Sequence, residues 1–179
     1  MFFCFGYAVH SIQIHMVPYG TDQGIPAATA ASILAIVGGA SVVGRVALGS
    51  VGDRTGNKQT FRTSFILMLL ALVWLLFTRE VWGLYLFSLV FGIGYGGCTA
   101  QTSPLITKLF GLKSLGVIFG LAVMGFSVGS AIGPFVSGYI FDITGNYYLA
   151  FEICIAILVI GILVNVTIRP TLLKIAGKL

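Results

Sequence analysis

The chain has 179 residues, of which 58% are hydrophobic and only 8% are charged, and its mean hydropathy is +1.04. This composition is typical of an integral membrane protein and excludes a soluble domain. The net charge of +5 does not indicate a nucleic-acid partner, because the basic residues lie at alternate connections between apolar segments, as membrane topology requires.

Six apolar segments follow one another along the chain, each close to the roughly 20 residues that a membrane-spanning helix needs. None has the two-residue alternation of a membrane β-strand, so all six are predicted to be helices. Pro18 is expected to end the first. The predicted spans cover about residues 1–17, 27–51, 61–78, 82–107, 115–141 and 147–168, followed by a basic tail at 169–179.

Seven residues at the end of the second span recur, identical and in order, 89 positions later. The first set is Ser41, Gly44, Gly49, Asp53, Thr55, Gly56 and Asn57, and the second is Ser130, Gly133, Gly138, Asp142, Thr144, Gly145 and Asn146. Three helices reverse the direction of the chain, so the two copies are expected at opposite faces of a bilayer. The predicted fold class is therefore all-α integral membrane, with six transmembrane helices in two inverted three-helix repeats, which is typical of secondary transporters.

The lysines and arginines indicate which side of the membrane each connection faces. All of the ten except Arg79 fall on one side, which predicts that the 52–60 loop, the 108–114 loop and the C-terminus are cytoplasmic in a plasma-membrane protein. No charged residue precedes the first span. We therefore interpret Met1 as lying within a longer chain that supplies a further N-terminal six-helix half. The alternative is a six-helix protein that pairs with a second copy of itself.

The turn after the second span carries the pattern Gly49-x-x-x-Asp53-Arg54-x-Gly56-x-Lys58. It resembles the loop signature of the major facilitator superfamily, and the order of later features is similar to the C-terminal half of such a twelve-helix carrier. The string HMVPYGTDQGI, a mid-helix arginine and the string KLFGLKSLGVIFG resemble the monocarboxylate carrier and oxalate/formate antiporter branch. Gly49 is expected to let neighbouring helices approach closely, and Gly56 to permit a sharp reversal of the chain. Arg54 and Lys58 are expected to hold the turn at anionic headgroups. The resemblance implies that the five named residues form a gating motif that breaks and re-forms as two halves rock. The alternative is a static anchor that only fixes topology.

Arg45 is the residue most informative about function. It lies eight positions before Asp53, which is about 12 Å along a helix and approaches the middle of the bilayer. A guanidinium there costs at least about 2.5–3.5 kcal/mol, so it is predicted to face a wet cavity or a partner. Its planar fork suits a carboxylate, and the resemblance also implies a substrate-binding arginine here. The alternative is a structural arginine that snorkels or pairs with the missing half.

Three further candidates for substrate binding lie on the first two spans. Ser41, one turn before Arg45, could hydrogen-bond a solute but cannot titrate, and it could equally be a small packing residue. His10 lies near the middle of the first span, three residues from Tyr7. Histidine changes charge near neutral pH, so His10 is the candidate for proton coupling. A hydrogen bond between helices would explain it equally well.

The fourth and fifth spans supply the remaining candidates. Tyr95 and Thr99 belong to a polar stripe on the fourth span that is predicted to line the pathway, or else to hold helices together. Gly133 and Pro134 are predicted to break the fifth span and to flex during gating. That span has no lysine or arginine. Since the resembling oxalate carriers use a second cation there, its absence favours a monoanion.

Together these features predict secondary active transport of small organic anions, specifically monocarboxylates, by alternating access, with proton symport or anion exchange as the energy source. The expected partners are the lipid bilayer, a small organic anion, and a missing half or second copy. Two alternatives remain: a carrier of another solute class, such as a drug or sugar, and a non-transporting half. No metal site, cofactor or catalytic constellation is predicted, which makes an enzyme the weakest interpretation.

Overall fold

The computed structural model describes residues 1–111 and 115–168 and places them in six α-helices. Five of these, α2 to α6, are long and apolar enough to cross a membrane. The predicted all-α membrane fold is confirmed, whereas the predicted tail at 169–179 lies outside the described residues. The helices are α1 (Phe2–Asp22), α2 (Ala27–Thr55), α3 (Asn57–Phe77), α4 (Val81–Phe110), α5 (Leu115–Thr144) and α6 (Tyr148–Thr167).

Three helices continue through prolines, at Pro18 in α1, Pro104 in α4 and Pro134 in α5. The prediction that Pro18 ends the first helix is wrong, because α1 extends to Asp22. The chain also runs without interruption through Gly133 and Pro134, so these residues do not form the predicted helix break. A proline removes one backbone donor from a helix, and helices packed in membranes tolerate that loss where neighbouring groups compensate. α5 is held by α1 at this level, where the Nε2–H of His15 donates to the Pro134 carbonyl oxygen at 2.9 Å.

The two three-helix repeats pack against each other by interleaving their helices. α1 packs most extensively on α5, and α4 packs most extensively on α2. In both pairs the first helix of one repeat meets the second helix of the other. α3 and α6, the third helices, pack against each other and against the first helix of the opposite repeat. This exchange of equivalent contacts is what an internal two-fold relation between the repeats requires.

Glycines at the two helix crossings show the same relation at the level of single atoms. A Cβ added to Gly6 would lie 2.1 Å from the Phe126 carbonyl oxygen, and one added to Gly92 would lie 2.6 Å from that of Val37. Phe126 and Val37 are separated by the 89 residues of the sequence repeat. The α1–α5 and α4–α2 crossings are therefore equivalent contacts.

The two signature turns lie at opposite ends of the bundle. Gly56, with φ +104°, reverses the chain between α2 and α3, and this turn borders the end of α4 at Lys108. Gly145, with φ +68°, does the same between α5 and α6, and that turn borders the end of α1. The inverted arrangement of the repeats is thereby confirmed. We call the end at Gly56 the basic end and the end at Gly145 the opposite end.

Coverage by neighbouring helices differs strongly along the bundle. In the most apolar stretch of each helix, 56% of α4 is buried but only 28% of α2 and 6% of α5. The centre is filled by large side chains from α1, α3 and α4, among them Phe5, Phe61, Phe65, Phe87 and Phe91, all nearly inaccessible. α2 and α5 therefore each use one side to hold the bundle and leave the remaining surface uncovered.

Candidate functional site

A cavity of about 310 Å³ opens between α1, α4 and α5. Five aromatic rings and three hydroxyl groups form most of its wall. The predicted site residues Tyr95 and Thr99 are among them. The aromatic residues are Phe2, Phe5, Tyr95, Phe119 and Phe126, and the hydroxyl groups come from Thr99, Thr102 and Ser103.

A chain of ring contacts joins the three helices around this cavity. The Phe5 ring lies 5.3 Å from that of Phe126 on α5 and 6.0 Å from that of Tyr95 on α4, measured between centroids. On its far side Phe126 meets His10, with the two rings edge to face at 5.4 Å. His10 therefore lies one ring away from the cavity wall and does not form part of it.

Two of the hydroxyl groups in the wall of the cavity donate hydrogen bonds within their own helix. Thr99 Oγ1 donates to the Tyr95 carbonyl oxygen at 2.9 Å, and Thr102 Oγ1 donates to that of Cys98 at 3.0 Å. Each hydroxyl has then used its single hydrogen and can only accept a further bond. Among the described residues, the lining of the cavity combines aromatic rings with hydroxyl groups and contains no cationic side chain.

Tyr7, His10 and Ser41 are engaged in helix packing. The Tyr7 side chain is only 3% exposed, and its carbonyl oxygen lies against Gly133. Ser41 is buried and donates to the Gly38 carbonyl oxygen at 2.7 Å. His10 is half-buried, with Nδ1 3.3 Å from the Gly6 carbonyl oxygen, so that Nδ1 carries the hydrogen of this bond. The structure does not bring these three side chains together around one point, and their part in binding stays a prediction.

Arg45 lies near the middle of α2 on the uncovered surface of the bundle. Its neighbours Val42 and Val46 are 59% and 71% exposed, so the guanidinium extends from an otherwise apolar face. The backbone of Arg45 touches α4 at Gly96, where an added Cβ would lie 2.9 Å from the Arg45 nitrogen. Gly96 follows Tyr95 directly, so Arg45 and the cavity wall start from the same level of the α2–α4 crossing.

The predicted gating motif is only partly explained by its local contacts. Gly56 makes the sharp reversal that was the reason for expecting a glycine there. Gly49, however, does not bring helices close together, because an added Cβ would meet only Ala100 at an ordinary 3.8 Å. Asp53 and Arg54 are exposed at the basic end. Lys58 Nζ donates to the carbonyl oxygens of Val166 (3.2 Å) and Ile168, capping α6 in place of the predicted headgroup contact.

The close approach predicted for Gly49 occurs three residues later, through a buried contact that sequence analysis missed. Gln101 of α4 lies over Gly52, where an added Cβ would come within 2.1 Å of its Nε2. The Gln101 Nε2 donates to the Leu48 carbonyl oxygen at 2.9 Å, and its Oε1 accepts from Asn57 Nδ2 at 2.7 Å. We call this contact the Gln101 bridge. It ties α4 to both α2 and the turn that follows α2.

The opposite end has a corresponding contact, which we call the His15 bridge. His15 of α1 donates from Nε2 to the Pro134 carbonyl oxygen of α5, so its Nδ1 accepts from the Tyr147 hydroxyl at 3.3 Å. Tyr147 lies just beyond the end of α5, and Asn57 lies just beyond the end of α2. His15 and Gln101 are 86 residues apart, the same offset that relates Gly6 to Gly92. Phe-Gly at 5–6 and 91–92 is the sequence signal that reveals this offset.

Six helices in two inverted triplets, with a sharp basic turn after the second, define the class of a half-domain from a secondary membrane carrier. The chain belongs to the Major Facilitator Superfamily, whose family model matches residues 1–175. This confirms the resemblance found at the signature turn.

Three relatives show which proteins the chain is similar to. Monocarboxylate transporter 13 of Bos taurus is 28% identical over 157 residues, covering 87% of this chain and 37% of that protein. Monocarboxylate transporter 7 of Homo sapiens is 26% identical over 162 residues, covering 88% and 31%. The uncharacterized MFS-type transporter YcxA of Bacillus subtilis (strain 168) is 25% identical over 183 residues, covering 98% and 44%. The chain therefore spans less than half the length of these relatives.

Proposed function

We propose that this chain is the C-terminal half of a secondary carrier that moves small monocarboxylates across a membrane by alternating access. Arg45 is the binding group for the carboxylate. The observation that carries this proposal is a permanently charged guanidinium on the uncovered face of a membrane helix, ten residues from its end at Thr55. Relatives named monocarboxylate transporters support the choice of substrate.

The surroundings of Arg45 argue against a lipid-facing position. A guanidinium among acyl chains costs about 2.5–3.5 kcal/mol even on the lowest scales. Its neighbours Val42 and Val46 supply no counter-charge. A water-filled passage between this face and a complementary half removes that cost, and it allows the fork of the guanidinium to bind a carboxylate through two hydrogen bonds. Because α5 carries no lysine or arginine, one anionic group is the expected limit.

The basic end supplies the elements for a gate. Asp53 and Arg54 are exposed there, whereas Lys58 is bonded to the end of α6. A latch with a complementary half would therefore use Asp53 and Arg54, with Gly56 fixing the turn. For energy coupling, His10 beside the cavity supports proton symport. A titratable group in the other half, or anion exchange, would serve as well.

The test is uptake of labelled pyruvate by the full-length protein in proteoliposomes. Arg45→Ala and Arg45→Lys are expected to lose most uptake, because lysine keeps the charge but not the two-pronged geometry. Arg79→Ala, an exposed arginine at the opposite end, is the matched control and is expected to behave as wild type. Normal uptake in both Arg45 variants would remove this residue from the mechanism.

A carrier of an uncharged apolar solute is the second candidate, because no lysine, arginine or histidine among the described residues lines the cavity. Competition experiments separate the two candidates. Lactate and formate should inhibit pyruvate uptake, while neutral sugars and uncharged aromatic compounds should not. Inhibition by the neutral aromatic compounds alone would favour the second candidate.

A further inference from the structure

We infer that the cavity between α1, α4 and α5 receives an aromatic side group of the substrate, so that the preferred substrates are monocarboxylates bearing a ring the size of phenyl or indole. This inference rests on the proposed function. It assigns the two ends of the solute to different places: the carboxylate to Arg45 and the ring to the cavity.

The size of the cavity is the first argument. An apolar cavity of roughly 150 Å³ is sufficient for benzene. The cavity here is about twice that, at about 310 Å³. Formate, pyruvate or lactate bound at Arg45 would have no group to fill it. A substrate with an aromatic ring would displace the water from an apolar space, which is the main source of affinity in such sites.

The chemistry of the wall is the second argument. Rings prefer to meet other rings edge to face or offset, with centroids about 4.5–7 Å apart. The Phe5 ring already stands at such distances from the rings of Phe126 and Tyr95 in the wall. The Thr99 and Thr102 hydroxyls have given their hydrogens to their own helix, so neither can donate to a carboxylate. Because the wall is mainly aromatic and no cationic side chain among the described residues lines it, it suits the ring of a solute better than the carboxylate.

The position of Arg45 relative to this wall is the third argument. α2 and α4 touch backbone to backbone at Gly96, beside Arg45 on one helix and Tyr95 on the other. Arg45 and Tyr95 are thus attached to adjoining helices at one level of the bundle. A solute with its ring a few bonds from the carboxylate matches that arrangement.

The experiment compares initial uptake of labelled phenylpyruvate and pyruvate by the full-length protein at equal low concentrations. The wild-type protein is expected to favour phenylpyruvate. Ala122 lines the cavity on α5, and Ala122→Phe fills part of it with a ring of its own. This variant should lower the phenylpyruvate-to-pyruvate uptake ratio by roughly ten-fold or more, within the range that steric changes in apolar pockets produce. Ala122→Leu should have a smaller effect in the same direction.

Ala156→Phe adds the same ring to an exposed position on α6 and is the matched control, with an expected ratio equal to that of wild type. A wild-type preference for pyruvate, or an equal loss of both acids in Ala122→Phe, would overturn the inference while leaving the proposed function intact. Transport of neither acid by the wild-type protein would instead contradict the proposed function itself.

Discussion

Several glycines, including the four named next, set the distance between the two repeats at the scale of single residues. At Gly6 and Gly133 the backbones of α1 and α5 touch, and at Gly44 and Gly92 those of α2 and α4 do. Lipid chains are as apolar as the helices, so membrane helices associate through close packing of this kind and not through the hydrophobic effect. A single added methyl group at these positions has no space to occupy.

The first prediction compares two glycines on α2. A Cβ at Gly44 would lie 2.3 Å from the Ile93 carbonyl oxygen, whereas Gly39 has no atom within 4 Å of its added Cβ. Gly44→Ala is expected to destabilise the protein by about 1–3 kcal/mol because the helices must separate. Gly39→Ala is expected to be neutral or stabilising, by up to about 1 kcal/mol, because alanine favours the helix. Thermal unfolding of the full-length protein in detergent measures both, and equal effects would contradict the packing argument.

Sequence analysis could find only some of these glycines. Gly44 and Gly133 belong to the 89-residue repeat. Gly6 and Gly92 do not, because their offset is 86 and the first helices are therefore out of register with the rest of the repeat by three residues. Gly6 and Gly44 are 38 positions apart, whereas Gly92 and Gly133 are 41 apart. This difference changes the numbering without changing the contacts, and only coordinates show that the contacts are the same.

At the scale of helices, the Gln101 and His15 bridges perform equivalent tasks at opposite ends. Each uses one side chain on the first helix of a repeat. That side chain donates to a backbone carbonyl on the second helix of the other repeat and accepts from a side chain just beyond it. A buried polar side chain in an apolar bundle is stable only when its bonds are satisfied. Both bridges therefore fix how a helix pair and its turn are arranged.

The second prediction concerns the Gln101 bridge. Gln101→Leu leaves the buried Asn57 amide without a partner and removes the added bond to the Leu48 carbonyl, and an unsatisfied buried group costs about 1–3 kcal/mol. Gln59→Leu, at an exposed position nearby, is the control and should have little effect. The double variant Asn57→Leu with Gln101→Leu should lose less free energy of unfolding than the sum of the two single variants. The reason is that the second substitution removes the amide that the first leaves unpaired. Strict additivity in this double-mutant cycle would show that the two side chains do not interact.

The third prediction replaces His15 of one bridge with glutamine, the residue type that the other bridge uses. A glutamine amide has one donor group and one acceptor oxygen, as the neutral imidazole of His15 has. His15→Gln is therefore expected to keep both bonds and stay within about 1 kcal/mol of wild type, whereas His15→Ala should lose clearly more. Unfolding midpoints of the full-length protein distinguish the two variants. A glutamine variant as unstable as the alanine variant would mean that ring stacking against Tyr147, and not the hydrogen bonds, carries the contact.

The helices themselves could be predicted from the sequence, but their ends could not. Long apolar runs mark where a chain can cross a bilayer. Helical hydrogen bonding continues past those runs to polar residues such as Asp22 and Thr55, because an aqueous or interfacial residue can still be helical. The effect of Pro18 and Pro134 depends on the neighbouring helix, which the local sequence does not contain. The ring-lined cavity could likewise not be predicted from the sequence, because it brings together residues more than 100 positions apart.

The uncovered surfaces of α2 and α5 are the main feature at the scale of the whole molecule. They carry Arg45 and a series of exposed apolar side chains, including Val42, Val46, Met124 and Phe135. In their most apolar stretches α2 and α5 are the least covered of the five long apolar helices, at 28% and 6% buried, so these surfaces are available to a complementary half or a second copy. On the proposed function they border the passage, whereas α3 and α6 face lipid.

The fourth prediction tests this division with single cysteines of comparable exposure. Val46→Cys on α2 and Met124→Cys on α5 replace side chains that are 71% and 61% exposed, and Leu70→Cys on α3 and Ile160→Cys on α6 replace ones that are 57% and 52% exposed. A thiol reacts as its thiolate, which forms in water and not among acyl chains. A hydrophilic maleimide should therefore label positions 46 and 124 in the full-length protein, and pyruvate should slow that labelling. Positions 70 and 160 should stay unlabelled.

The native cysteines of this chain add little background to the experiment, because Cys4, Cys98 and Cys154 are all buried. The labelling pattern also tests the position of Arg45, since Val46 is its direct neighbour on the same uncovered face. If position 46 resisted the hydrophilic reagent and reacted only with a lipid-soluble one, the guanidinium next to it would lie against acyl chains. Carboxylate binding in a wet passage would then be ruled out at this helix, and Arg45 would have to be explained as a residue that snorkels to the membrane surface.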